Sequence, residues 1–293
     1  MRRSMLFLPG NNPNMIINGN CLGSDAIIFD LEDAVAPSEK DAARILVRNA
    51  MKYLDFSGCE IIVRINSIDT EYWKQDVDEI LPYKPDLILL PKTSSAADVI
   101  AADAYITQVE EKLGFEKNTV GLMPLIETAL GVENAFAIAS AAGRVEALFL
   151  GAEDLTADLR CKRTKEGREI EYARTRLVVA ARAANVDVYD TPFTDVNDDE
   201  GIEVDTALAK ALGFTGKASI SPRHVEVINR VFSPTQAEID YAYEVMDAIR
   251  LAKEQGKGAI ALRGKMIDAP IVARAEQTIA MAQEMGLGRE VTA

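Results

Sequence analysis

Gly121-Leu122-Met123-Pro124-Leu125-Ile126-Glu127 and, further along, Ala147-Leu148-Phe149-Leu150-Gly151-Ala152-Glu153-Asp154 each set a short apolar run just ahead of a carboxylate. Runs of this length, rich in Leu, Ile and Phe and ended by polar residues, read as strands. Working outward, six more appear: Met5–Leu8, Ala26–Phe29, Ile61–Ile65, Leu87–Leu90, Val186–Tyr189 and Ala218–Ile220. The stretches between them are long enough for crossover helices, and some show helical spacing, as at Ala135, Ile138, Ala139 and Ala142. Eight βα units of this kind predict an α/β protein whose parallel sheet closes into a (β/α)8 TIM barrel.

The residues just past each run point to function. In order come Pro9-Gly10, then Asp30-Leu31-Glu32-Asp33, Arg64 with Asn66, Pro91-Lys92, Glu127, Gly151 to Asp154, Asp190 to Asp195, and Ser221-Pro222-Arg223. A barrel carries its active site at the carboxyl ends of its strands, so this is where chemistry is expected. An open doubly wound sheet also binds ligands at strand ends, and here the strand count favours the barrel. The barrel is expected over 1–232 and a helical extension, acting as lid or subunit contact, over 233–293. In the extension Thr235 and Glu238 predict a capping box for a helix to about Glu254. Gln255-Gly256-Lys257-Gly258 predicts a turn and Ala259–Leu262 a short extended piece. Arg263 to Pro270 then leads into a last helix ending near Met285.

Composition narrows the function class. The chain has 293 residues, 48% of them hydrophobic, enough for a large core. A formal net charge of −14 opposes association with nucleic acid or an anionic membrane, so an anionic substrate needs local cationic help. Cys21, Cys59 and Cys161 form no paired motif and read as reduced, cytoplasmic thiols. No apolar run approaches membrane-spanning length. His224 is the only histidine, which excludes a His-rich zinc site and any two-histidine scheme. Proton transfer is left to carboxylates, Tyr, Lys or metal-bound water.

Glu127 and Asp154 leave neighbouring strands, and two carboxylates with the remaining positions open to water and substrate are the usual protein contribution to a Mg²⁺ site. Each could instead cap a helix or pair with arginine. Asp30, Glu32 and Asp33 form a second acidic knot, with Arg64 placed to neutralise it; the arginine is either one member of a buried ion-pair network or keeps a free edge for a carboxylate or thioester oxygen. Lys92 reads as a cationic anchor in preference to a Schiff-base amine. The charged, glycine-containing stretch from Thr156 to Glu169 reads as a mobile loop over the mouth.

Seven segments, in order along nearly the whole chain, resemble the citrate lyase β-subunit group of the HpcH/HpaI aldolase and malyl-CoA lyase family. They are Arg3 to Gly10, Phe29-Asp30-Leu31-Glu32-Asp33-Ala34-Val35, Val63-Arg64-Ile65-Asn66, Leu90-Pro91-Lys92, Ile126-Glu127-Thr128, Gly151-Ala152-Glu153-Asp154-Leu155, and Gly264 to Pro270. The resemblance implies Mg²⁺ held by Glu127 and Asp154. Arg64 is implied as a catalytic and substrate contact, with Glu32, Asp33, Lys92, Gly151 and Ala152 as further substrate contacts. It implies that Asp268 is the acid–base residue and enters a neighbouring subunit's site, so that a homo-oligomer, with a trimer favoured, completes the centre. The implied reaction is carbon–carbon cleavage of a citryl thioester carried on acyl carrier protein or coenzyme A, with acyl carrier protein and acyltransferase subunits as possible partners. A malyl-, methylmalyl- or citramalyl-CoA lyase is the nearest alternative; a non-catalytic carrier-docking subunit is the alternative of another class. Ser221 stands where relatives often carry histidine.

Overall fold

The structure, a computed structural model, describes residues 1–254 and 260–288. The described chain forms two compact units, Arg2–Phe232 and the segment from Ser233 together with Met1.

In the first unit eight parallel strands close in sequence order: β1 (Ser4–Pro9), β2 (Ala26–Asp30), β3 (Glu60–Arg64), β4 (Leu87–Leu90), β5 (Gly121–Ile126), β6 (Ala147–Leu150), β7 (Asp187–Asp190) and β8 (Gly216–Ser219). Pairing of Ser4 with Lys217 and Met5 with Ala218 joins the last strand to the first. This is the expected TIM barrel, with β4, β5 and β6 at the boundaries read from their apolar runs. Strand alternation sorts the side chains. Met5, Ile28, Ile62, Leu89, Met123, Phe149 and Tyr189 fill the barrel interior, while Leu6, Ile27, Val63, Ile88, Leu122 and Leu148 face the surrounding helices.

Those helices are α1 (Pro13–Asn18), α2 (Lys40–Tyr53), α3 (Trp73–Ile80), α4 (Ala96–Leu113), α5 (Ala129–Glu133), α6 (Ala135–Ala139), α7 (Ala152–Asp158), α8 (Glu171–Ala184), α9 (Asp199–Leu212) and α10 (Pro222–Phe232). The helical spacing read at Ala135, Ile138 and Ala139 is the buried face of α6. Short α7, opening directly after β6, matters most for the site.

The second unit holds α11 (Gln236–Glu254), a small antiparallel pair β9 (Ile260–Leu262) and β10 (Lys265–Ile267), and α12 (Ala269–Glu284). The capping box at the start of α11 is formed, Thr235 N donating to Glu238 at 2.7 Å and Glu238 N to Thr235 Oγ1 at 3.3 Å. The turn read at Gln255 to Gly258 and the start of the extended piece at Ala259 lie outside the described residues. No helix among the described residues is long and apolar enough to cross a membrane.

Candidate active site

Register sets the centre. Ile126 pairs with Leu150, so the next residues, Glu127 and Gly151, stand side by side at the carboxyl rim. Gly151 N donates to Ile126 O at 3.0 Å, and the chain turns at once into α7, which carries Asp154 in its first turn. A Cβ on Gly151 would lie 2.7 Å from Glu127 Oε2, so the glycine leaves the space the carboxylate fills. From the other side Lys92, in left-handed conformation at φ 54°, donates its backbone N–H to Glu127 Oε1 at 2.7 Å. Glu127 is therefore held between two backbones and is only 4% exposed.

Above the barrel interior lies a cavity of about 460 Å³. Leu125 and Phe149, both interior residues, line it together with Phe7 and the half-exposed Ile220. The ionisable and polar side chains that line it are Asp30, Asp33, Arg64, Glu127, Glu153, Asp154 and Thr191, with Gly151 and Ala152 beside them. Glu127 and Asp154 thus share one cavity. Burial, reinforced by the charges of Asp154 and Glu32, pushes the Glu127 carboxyl up to about 8. Such a pair relieves its repulsion by holding a proton or a cation. Two carboxylates lining one cavity, with room left for water and substrate, fit the pattern by which Mg²⁺ is usually held.

Arg64 is a member of a network and also lines the cavity. Its Nε and Nη2 donate to the two oxygens of Asp30 at 2.7 and 2.5 Å, Nη1 lies 3.1 Å from Glu32, and the guanidinium stands 5.1 Å from the Phe7 ring centroid. Although burial works against the charge, Asp30 and Glu32 keep its affinity for its proton above the ordinary arginine value. Asp30 also accepts from the backbone N–H groups of Glu32 and Ala34, and buried Lys40 donates to the carbonyls of Leu31 and Glu32 at 2.8 and 2.6 Å. The acidic knot is thereby fastened in place.

Glu32 and Lys92 meet each other outside the cavity lining. Lys92 Nζ is 2.6 Å from Glu32 Oε1 and 3.6 Å from Asp33. Against the pull of burial, these carboxylates raise the ammonium above the ordinary lysine value, which is the reverse of what a Schiff-base lysine needs. Other strand-end residues also turn away. Asn66 bonds buried Asp76, and Asp190 faces outward to Arg174 and Lys217. Ser221 Oγ accepts from Arg223 N at the start of α10. His224 is fully buried beside Phe193, 6.2 Å between ring centroids, and burial lowers its pKa.

Thr191 is a lining residue that strand-end reading did not single out. Its Oγ1 accepts from Ala152 N at 3.2 Å, satisfying a free amide at the start of α7, and its carbonyl accepts from Lys217 Nζ at 2.6 Å. The aromatic wall at Phe7 was missed for a simpler reason: as one of the apolar residues of β1, it carries no mark of its own in the sequence. Asp268 belongs to the second unit, where it is exposed and accepts from Ile271 N as the N-cap of α12.

The segment Thr156 to Glu169 is stapled internally. Glu169 accepts from Thr164 N, Thr164 Oγ1 and Arg163 Nη1 at 2.8, 2.7 and 2.8 Å. Against the push of burial, those bonds hold its carboxyl at about 2.

A family model described as HpcH/HpaI aldolase/citrate lyase matches residues 3–222. The citrate lyase subunit beta of Leuconostoc mesenteroides subsp. cremoris is 43% identical over 282 residues, 96% of this chain and 93% of that protein. The L-malyl-CoA/beta-methylmalyl-CoA lyase of Rhodobacter capsulatus is 33% identical over 303 residues, 97% of this chain and 95% of that one. Among solved structures, the protein CitE of Mycobacterium tuberculosis in complex with magnesium, acetoacetate and coenzyme A superposes with a TM-score of 0.77 at 29% identity, covering 96% of this chain and 98% of that one. With its barrel, its paired rim carboxylates and these matches along nearly its whole length, the chain belongs to the HpcH/HpaI aldolase/citrate lyase family.

Proposed function

We propose that this chain is a magnesium-dependent carbon–carbon lyase that cleaves a citryl thioester, carried on acyl carrier protein or coenzyme A, into oxaloacetate and an acetyl thioester. One observation carries the reading: Glu127 and Asp154 face a single cavity in which Arg64, the one lining cation among the described residues, is already bound to Asp30. That arrangement leaves uncompensated negative charge where a divalent cation and an anionic substrate would meet. Glu127 and Asp154 are the proposed ligands. When bound, Mg²⁺ would supply Lewis-acid stabilisation of the oxygen charge that develops as the carbon–carbon bond breaks.

The chain's own groups do the rest. Lys92 N–H and the Gly151 backbone hold Glu127 in one orientation, so little reorganisation accompanies binding. Arg64, oriented by Asp30 and Phe7, places fixed positive charge beside the substrate carboxylate or thioester oxygen. Asp268, from a neighbouring subunit of a proposed trimer, takes the proton of the 3-hydroxyl and later returns one to the enolate carbon. The apolar residues Phe7, Leu125 and Phe149 keep water from that enolate. Acyl carrier protein and acyltransferase subunits are the proposed partners.

The test is Mg²⁺ titration by calorimetry, then turnover of citryl-, malyl- and citramalyl-thioesters. Glu127→Gln and Asp154→Asn are each expected to weaken Mg²⁺ by tenfold or more, on the order of 1.4 kcal/mol or above, and to abolish turnover. Unchanged Mg²⁺ binding in both would sink the metal assignment. Glyoxylate or pyruvate released without oxaloacetate would reassign the substrate to the malyl or citramalyl class. Mg²⁺ binding with no thioester cleaved would leave the carrier-docking role.

A further inference from the structure

Residues 160–168, Arg-Cys-Lys-Arg-Thr-Lys-Glu-Gly-Arg, hold five cations and one acid in a chain of net charge −14. The five cations fall into two groups. Arg163 and Lys165 fasten the segment to the cavity rim: Arg163 lies 3.7 Å from Glu153, a lining residue, and Lys165 lies 2.6 Å from Asp195 and 2.9 Å from Asp198, in the loop after Thr191. Arg160, Lys162 and Arg168 are exposed and form no ion pair among the described residues. Glu169 braces Arg163 and Thr164 from within the segment that carries these three cations.

An exposed, unpaired cationic surface beside the mouth of a strongly acidic protein has a specific physical consequence. The protein's net charge repels anions on average, and this loop concentrates cations beside the rim of the cavity. None of the three lines the cavity. They lie on a mostly exposed stretch of nine residues, and their like charge complements an acidic partner. We infer that Arg160, Lys162 and Arg168 form the docking surface for an acidic carrier protein that delivers the thioester to the cavity. The inference rests on the lyase reading for its purpose but not for its test, which measures binding apart from turnover. Complementary charge at such a rim acts chiefly on the association rate and is weakened by salt.

The experiment compares the wild type with the triple variant Arg160→Glu, Lys162→Glu, Arg168→Glu, and with the milder triple alanine variant. Each is checked for an unaltered melting temperature and Mg²⁺ affinity. Binding of purified holo acyl carrier protein is monitored by fluorescence anisotropy at low and high salt, and cleavage of the carrier-bound and coenzyme A thioesters is measured in parallel. Charge reversal is expected to weaken carrier binding by about tenfold or more at low salt, with the alanine variant intermediate and the salt dependence flattened. Cleavage of the coenzyme A thioester should be unchanged. Carrier binding by the wild type at no salt concentration, or equal binding by wild type and variant, would overturn the proposal. So would an equal loss with the coenzyme A substrate, which would assign the cations to its phosphates. Carrier binding lost in the variant while the wild type cleaves neither thioester would uphold the docking surface and reject the lyase reading.

Discussion

Gly151 is a residue whose importance is entirely steric. Its φ of −101° suits any amino acid, so Gly151→Ala meets no backbone penalty, yet the new Cβ would lie 2.7 and 2.8 Å from Glu127 Oε2 and Cβ. Something must move, and the lightest part is the Glu127 carboxylate. Gly151→Ala is expected to weaken Mg²⁺ binding about tenfold while costing roughly 1–3 kcal/mol of stability, read by calorimetry and urea denaturation. The protonation of Glu127 makes a second prediction. Its carboxyl sits at about 8 against an ordinary 4.5, first through burial and then through Asp154 and Glu32. Between those values the metal-free native state keeps a proton that the unfolded chain has released, so its stability falls as pH rises through the window. As a proposed ligand, Glu127 would have to give up that proton to Mg²⁺, so affinity should climb with pH and level off above about 8. Calorimetry at pH 7 in buffers of different ionisation enthalpy should detect close to one proton released by wild type, and none by Glu127→Gln.

At the scale of elements, the wall formed by β7 and β8 is held by four buried charges. Lys217 Nζ lies 2.6 Å from Asp190 and 2.7 Å from Asp205, and Arg174 binds the same two carboxylates at 2.9 and 2.7 Å. Lys217 also donates to the Thr191 carbonyl, and Thr191 in turn accepts the first amide of α7. The network therefore reaches Asp154 through the position of a helix. Lys217→Met leaves two buried carboxylates with one cation and is expected to cost about 3–5 kcal/mol, measured by urea denaturation. Adding Asp205→Leu should recover a large part of that loss, because the unpaired charge is removed along with its partner. No recovery would show the cost to be one of packing instead of charge.

At the scale of the whole molecule, the proposed division of labour between subunits gives a mixing experiment. Glu127→Gln and Asp268→Asn chains are each expected to be inactive alone. Unfolded together and refolded, they should regain a fraction of wild-type turnover, since some sites would pair an intact metal pair with an intact tail. Light scattering on the same samples reports the oligomer. Turnover that stays at zero in mixed oligomers would place the acid–base residue in the barrel's own chain.

The amino-acid sequence by itself determined the barrel and the position of its candidate site, because both are written in local pattern. Each short apolar run is complete within a few residues, and the polar residue that ends it is adjacent in the chain; β4, β5 and β6 could be bounded to the residue for that reason. Glu127, Asp154, Arg64, Asp33, Gly151 and Ala152 were legible as rim residues in the same way. Direction was not legible, because a strand-end side chain can turn into the cavity or out to the helices, and that depends on partners distant in sequence. Only tertiary structure decided that Asn66 belongs to Asp76 and Asp190 to Lys217, that Glu32 binds Lys92 outside the cavity, and that Arg64 is held by Asp30. Thr191 and Phe7 join the site for the same physical reason: burial and hydrogen bonding are satisfied in three dimensions, by neighbours that chain order does not bring together.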